Sequence, residues 1–83
     1  MIDVFEKIKF ILNKEYSFHS DQIELKTKFY DELGTDSREM LELMSDFEDE
    51  FGIIIEFEAV EEIVTIEDAV KYIENQINLK NNY

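Results

Sequence analysis

Apolar residues recur at helical spacing in three stretches of the chain. Val4, Ile8, Ile11 and Leu12 share one helical face, which predicts a helix over about residues 3 to 15. Asp3 stands where an N-cap belongs, and Glu6 three residues on is its reciprocal partner in a capping box. The second stripe is Met40, Leu43, Met44, Phe47 and Phe51, opposed by Glu39, Glu42, Asp46, Asp49 and Glu50. That is an amphipathic helix with an acidic outer face. Asp36 suits its N-cap with Glu39 completing a box, and Gly52 suits the left-handed residue that ends it. The third stripe is Ile66, Ala69, Val70, Ile73 and Ile77, with Thr65 as cap and Asp68 at the third position.

The segments between these stripes are less regular. Tyr16 to Thr35 is a polar stretch of twenty residues, long for a loop in so small a domain, and a loop of that length points to function. Ile23, Phe29 and Leu33 are expected to pin it to the core, with a short helical turn around Phe29–Leu33. Ile53-Ile54-Ile55 has strand-like, β-branched character, but it is short and no partner strand is evident, so it reads as a buried loop. A short helix is expected over Phe57–Glu62. Residues 1–79 then form one domain, and 80–83 a frayed tail. The expected fold is all-α: a four-helix bundle with a long first loop and a short third helix. The absence of Pro and the count of two Gly agree with a mainly helical chain.

Charge narrows the function. The 83 residues carry a net charge of −13. Fifteen of the acids and only one base, Arg38, lie between Asp31 and Asp68, while the rest of the chain is close to neutral. Nucleic acid and anionic lipid need a basic surface, so neither is an expected partner. A basic protein surface is. A merely solubilising acidic coat is the plainer alternative, and the clustering in one half weighs against it. With no Cys there is no disulfide, zinc ribbon, thiol nucleophile or iron–sulfur ligand. The opening MIDVFEKIKF lacks the apolar run of a signal peptide or membrane span, and a cytoplasmic, monomeric protein without membrane insertion is expected.

Few residues suggest catalysis. His19 lies in the polar loop with no evident nucleophile or orienting acid, and reads as solvated. The acids sit on a solvated helix face, not in the apolar pocket that an acid/base pair requires. Asp46-Phe-Glu-Asp-Glu lacks the alternating ligands and sixth-position Gly of an EF-hand, so no dedicated metal site is expected. Met40 and Met44 read as core residues ahead of ligand contacts. Ser37, at the start of a helix, would ordinarily be a capping residue only.

The string around Ser37 changes its reading. Phe29-Tyr-Asp-Glu-Leu-Gly-Thr-Asp-Ser37-Arg-Glu-Met-Leu-Glu-Leu-Met resembles the acyl carrier proteins, whose attachment site is a Leu-Gly-x-Asp-Ser-Leu motif opening the second helix. Phe47-Glu-Asp-Glu-Phe51, Ala59-Val-Glu-Glu-Ile63-Val-Thr-Ile66 and Ala69-Val-Lys-Tyr-Ile73 extend the likeness over about Phe5 to Ile77. The resemblance implies that Ser37 receives 4′-phosphopantetheine from coenzyme A, whose thiol carries acyl groups as thioesters. It implies that Asp36 caps the helix and helps a phosphopantetheinyl transferase place its magnesium. Two positions depart from the pattern: Arg38 replaces the usual Leu, and Glu56, followed by Phe57, replaces the Pro that often precedes the third helix.

The resemblance therefore implies a carrier of acyl intermediates, not an enzyme, and the acidic surface leans towards fatty-acid or polyketide-type synthesis. Its expected partners are the transferase and the basic surfaces of acyl-processing enzymes. Glu42, Asp46, Glu48, Asp49 and Glu61 are the acidic docking candidates, Leu41 and Met44 the apolar ones, and Arg38 a contact for phosphate or a dedicated partner. The alternatives are a peptidyl or amino-acyl carrier for a synthetase, and an unmodified acidic protein-interaction module.

Overall fold

Helix signals in the sequence become four helices in the computed structural model, which describes residues 3–81. They are α1 (Val4–Tyr16), α2 (Ser37–Phe51), α3 (Phe57–Val60) and α4 (Ile66–Asn81), with a 3-10 turn at Ser20–Gln22. Asp3 caps α1 by accepting the Glu6 N–H at 3.1 Å. The Glu6 carboxylate pairs instead with Lys9 at 3.1 Å, so the expected reciprocal box does not form there. Around α2 both halves of the box are present, and Gly52 ends the helix at φ 63°.

The three stripes meet in one core. Ile8, Leu12, Met40, Leu43, Phe47, Ile66 and Ala69 are fully enclosed, with Phe29 brought in from the long loop. Ile23 is buried too, whereas Leu33 is half-buried and Leu25 exposed. The turn expected at Phe29–Leu33 is a single one, with the Glu32 and Leu33 N–H groups both on the Lys28 carbonyl.

Loop and α4 are stitched together through the backbone. The first N–H groups of a helix have no partner within it. Those of Ile66 and Glu67 donate to the carbonyls of Thr27 and Leu25 at 2.9 and 2.8 Å. The Phe29 N–H donates to the Val64 carbonyl, beside an isolated antiparallel bridge between Lys28 and Thr65. The long loop is thus a structural strap over the start of α4.

Three expectations need correction. Ile53 and Ile55 are buried, but Ile54 between them is 69% exposed, because the segment is extended and alternate residues face opposite ways. Helix α3 stops at Val60: Glu56 makes no side-chain cap, and the chain tightens into three-residue bonds from Glu62 to Ala59 and Ile63 to Val60. Helix α4 continues past residue 79 to Asn81, held by the Lys80 ammonium, which donates to the Gly52 carbonyl at 2.7 Å. Residues 82 and 83 of the expected tail lie outside the described residues.

Asp68 anchors the start of α4. Its carboxylate accepts the N–H groups of Val64 and Thr65 at 3.0 Å each, and its own N–H donates to Thr65 Oγ1. The backbone N–H of Thr65, then that of Val64, holds its pKa below the usual 3.8 against an opposing desolvation effect. A depressed carboxylate pKa contributes stability above the unfolded value, lost as pH falls through the folded one. Asp68→Asn keeps an acceptor but removes the charge, and should cost about 1 kcal/mol at neutral pH, the margin between charged and neutral hydrogen bonds. In denaturant titrations at decreasing pH, that difference should shrink below pH about 4. A gap that stays constant down to strong acid would mean the carboxylate charge plays no part.

Candidate functional site

The turn before α2 is fixed from within the core. Thr35 is buried, and both its N–H and its hydroxyl donate to the Phe29 carbonyl, at 3.1 and 2.9 Å. Gly34 has φ 71°, and a Cβ there would meet nothing within 4 Å. Its requirement is therefore the left-handed backbone, not space. Asp36 Oδ1 accepts the Glu39 N–H at 2.8 Å, and the Asp36 N–H donates to Glu39 Oε1 at 3.1 Å.

Ser37 follows as the first residue of α2, with its side chain exposed. The Glu39 N–H is taken by the Asp36 side chain and the Met40 N–H by the Asp36 carbonyl. The N–H groups of Ser37 and Arg38 remain as donors at the positive end of the helix dipole. An accessible hydroxyl beside two free donors fits a phosphodiester on Ser37.

The docking candidates separate into two sets. Arg38, Glu42, Asp49 and Glu61 are exposed, as is Leu41 at 46%. Arg38 Nε approaches Glu42 Oε1 at 3.7 Å, an open pair of little energetic weight. Asp46 is half-buried and accepts the Tyr16 hydroxyl at 2.8 Å. Burial, then that bond, raises the Tyr16 pKa above its ordinary 10. Glu48 is half-buried as well, its carboxylate accepting the Ile55 N–H at 2.8 Å. Both acids thus hold the bundle together. Met44 is only 3% exposed, so the apolar docking role expected for it is corrected to a core role.

Residues 6–73 match the family model described as the phosphopantetheine attachment site. The chain is 39% identical over 77 residues to an acyl carrier protein of Petrotoga mobilis, covering 93% of this chain and 91% of that one. The chain belongs to the acyl carrier protein family. An acyl carrier protein of Zymomonas mobilis is 40% identical over 74 residues, covering 89% of this chain and 95% of the relative. The fold agrees. An acyl carrier protein structure from Enterococcus faecalis superposes with a TM-score of 0.76 at 33% identity, covering 88% of this chain and 92% of that one. One from Thermotoga maritima reaches 0.84 at 23% identity, covering 94% and 91%.

Family members are carriers whose prosthetic group is 4′-phosphopantetheine. No helix among the described residues is long and apolar enough to cross a membrane. Sequence reasoning names Phe57 as the start of α3 but not its exposure, which is 66%. A signal is present: α3 is too short for a periodic stripe, and the residue after Glu56 has no apolar partner one turn on except the half-buried Val60. Thr35 is overlooked as well, since its role depends on a backbone carbonyl six residues away.

Proposed function

We propose that Ser37 is the attachment residue and that the chain carries acyl intermediates of fatty-acid or polyketide-type synthesis. The observation that carries this reading is the exposed Ser37 hydroxyl at the first position of α2, on a turn anchored to the core through Phe29. Attachment joins Ser37 Oγ to the pantetheine phosphorus of coenzyme A and releases adenosine bisphosphate. When bound, the arm supplies a thiol that holds acyl groups as thioesters. The chain's own residues would position it: Asp36 keeps the turn closed, and the Ser37 and Arg38 N–H groups would be the donors available to the phosphate. Glu42, Asp49, Glu61 and Leu41 form the surface offered to basic enzymes. The dense acidic stretch favours this cargo class over peptidyl carriage.

Incubation with coenzyme A, magnesium and a broad-specificity phosphopantetheinyl transferase should add one arm per chain. Peptide mapping should place it on the segment containing Ser37. No addition, or an arm on the peptide holding Ser45, would overturn the assignment.

Arg38 gives a further expected result. A cation in the first turn opposes the helix dipole by about 0.3–1 kcal/mol, and its exposed pair with Glu42 offsets part of this. Arg38→Leu should leave the fold equally or slightly more stable and speed loading by the generic transferase. It should weaken coupling to the cognate enzyme, since guanidinium suits a phosphate or carboxylate contact. Unchanged rates with both enzymes would make Arg38 a solvated side chain only.

A further inference from the structure

Phe57 opens α3 without contributing to the core. It is exposed and stands outside both the buried cluster and the apolar side chains packed against it, whereas Val60, three residues on, packs there. The first turn of a helix favours an acid, which the dipole stabilises, so helix formation gives no reason for an aromatic ring at this place. Its neighbours are all of one sign. Glu56 and Glu58 flank it in the chain, and both are exposed. Glu61 follows one turn later, still right-handed at φ -66° and ψ -24°, so it shares the exposed face of α3 with Phe57. No Lys, Arg or His stands between Arg38 and Lys71. Those two are themselves engaged, Arg38 with Glu42 and Lys71 with Glu67. Among the described residues, no cation comes within ion-pair distance of Glu56, Glu58 or Glu61.

We propose that Phe57 is the contact that selects among basic partners: an arginine of the docked protein lies flat on its ring, with the guanidinium held by Glu58 and Glu61. The face of an aromatic ring is electron-rich and attracts a cation, and the neighbouring carboxylates add to that field. Arginine fits this place better than lysine. Its planar group is weakly hydrated, stacks on a ring and offers forked donors to a carboxylate at the same time. A second copy of the chain is disfavoured as occupant, since it would bring a net charge of −13 against the same acids. The proposal rests on the reading of the acidic face as the surface offered to basic enzymes, and it names the side chain that such an enzyme presents. It does not depend on which serine is modified.

The full unmodified chain is titrated with a synthetic alanine-rich helical peptide carrying arginines along one face, and with its lysine counterpart of equal charge. Ring-proton shifts of Phe57 and amide shifts of Glu58 and Glu61 should saturate with the arginine peptide. Phe57→Ala should weaken its binding about tenfold, the scale of a desolvated cation–π contact. The fold should survive that change because the side chain is exposed, which circular dichroism checks. Phe57→Tyr should keep wild-type affinity and Phe57→Leu should not, since only the first retains an aromatic ring. The lysine peptide should bind the wild-type chain more weakly and respond less to Phe57→Ala. Equal affinity in Phe57→Ala and wild type, or full affinity in Phe57→Leu, would overturn the proposal. Shifts confined to the acidic face of α2 would overturn it too, while leaving the docking reading in place. Phe57 signals that move on dilution without peptide would name a second copy as the occupant instead. Arm attachment, measured on the same preparation, reports on Ser37 separately. A loaded chain whose Phe57 never meets the peptide sinks this proposal alone, and an unloaded chain whose Phe57 does meet it sinks only the attachment site.

Discussion

A Ser37→Ala chain is expected to accept no phosphopantetheine under conditions that load every wild-type molecule. The effect should be all-or-none because no other serine shares the setting. Ser17 closes the C-terminal end of α1 in the left-handed conformation, where the helix dipole is negative. Ser45 lies in the middle of α2, lining a concavity with Glu15, Tyr16, Glu42 and Asp46, where three carboxylates repel a phosphate. Ser20 opens a three-residue 3-10 turn next to Asp21, too short to offer a helix dipole. Ser37 alone among them stands at the positive end of a long helix, with its hydroxyl exposed and neighbouring N–H groups free. Since its side chain is exposed, Ser37→Ala should change stability by no more than about 0.5 kcal/mol. Intact mass and a denaturant melt on the same sample separate the two effects. A loaded Ser37→Ala chain would sink the site, and a strongly destabilised one would show that the serine has a structural task as well.

What can be read from the sequence depends on whether the deciding interaction is local. The stripes of α1, α2 and α4 report which face is buried, and Asp36 with Glu39 sets a helix start from residues three apart. For that reason the position of Ser37 at the start of α2 is legible from the order of residues alone. Met44 belongs to the same stripe as Met40 and Phe47 and is buried with them, so periodicity favours its core role over docking. Asp46 and Glu48 read as solvated in the sequence because a carboxylate on an acidic helix face shows no sign of its partner. Here those partners, the Tyr16 hydroxyl and the Ile55 N–H, lie on other elements. The long loop is legible only in its apolar pins. Its hold on α4 runs through the carbonyls of Leu25 and Thr27, groups that every residue has and no side-chain pattern reveals. The end of α4 escapes the pattern for a similar reason, as Lys80 finds its acceptor on a residue 28 positions away.

Phe29→Ala should be among the most damaging single substitutions, although it lies in a loop. Its side chain is fully enclosed, and truncating a buried Phe to Ala costs about 3–5 kcal/mol. A domain of this length has roughly 4–12 kcal/mol in total, at 0.05–0.15 kcal/mol per residue, so the loss takes a large share. The Tm should fall by at least about 12 °C, at 4–8 °C per kcal/mol for a domain this small. The consequence should reach Ser37 as well. The Phe29 N–H ties the loop to Val64, and its carbonyl holds Thr35, two residues before the serine. With the ring gone, only backbone bonds to the Val64–Glu67 segment hold that carbonyl, and the turn that presents Ser37 loosens. Loading by the transferase should therefore slow even at a temperature where the chain is still folded by circular dichroism. Leu33→Ala, at a half-buried site on the same loop, should cost less and leave loading nearly unchanged. Phe29→Leu keeps most of the apolar volume and should restore much of both properties, which distinguishes anchoring from global collapse. If Phe29→Ala lowers stability by less than about 1 kcal/mol, well under the cost of emptying a core site, the loop is not held by this side chain. The backbone bonds to α4 would then be sufficient to position the serine alone.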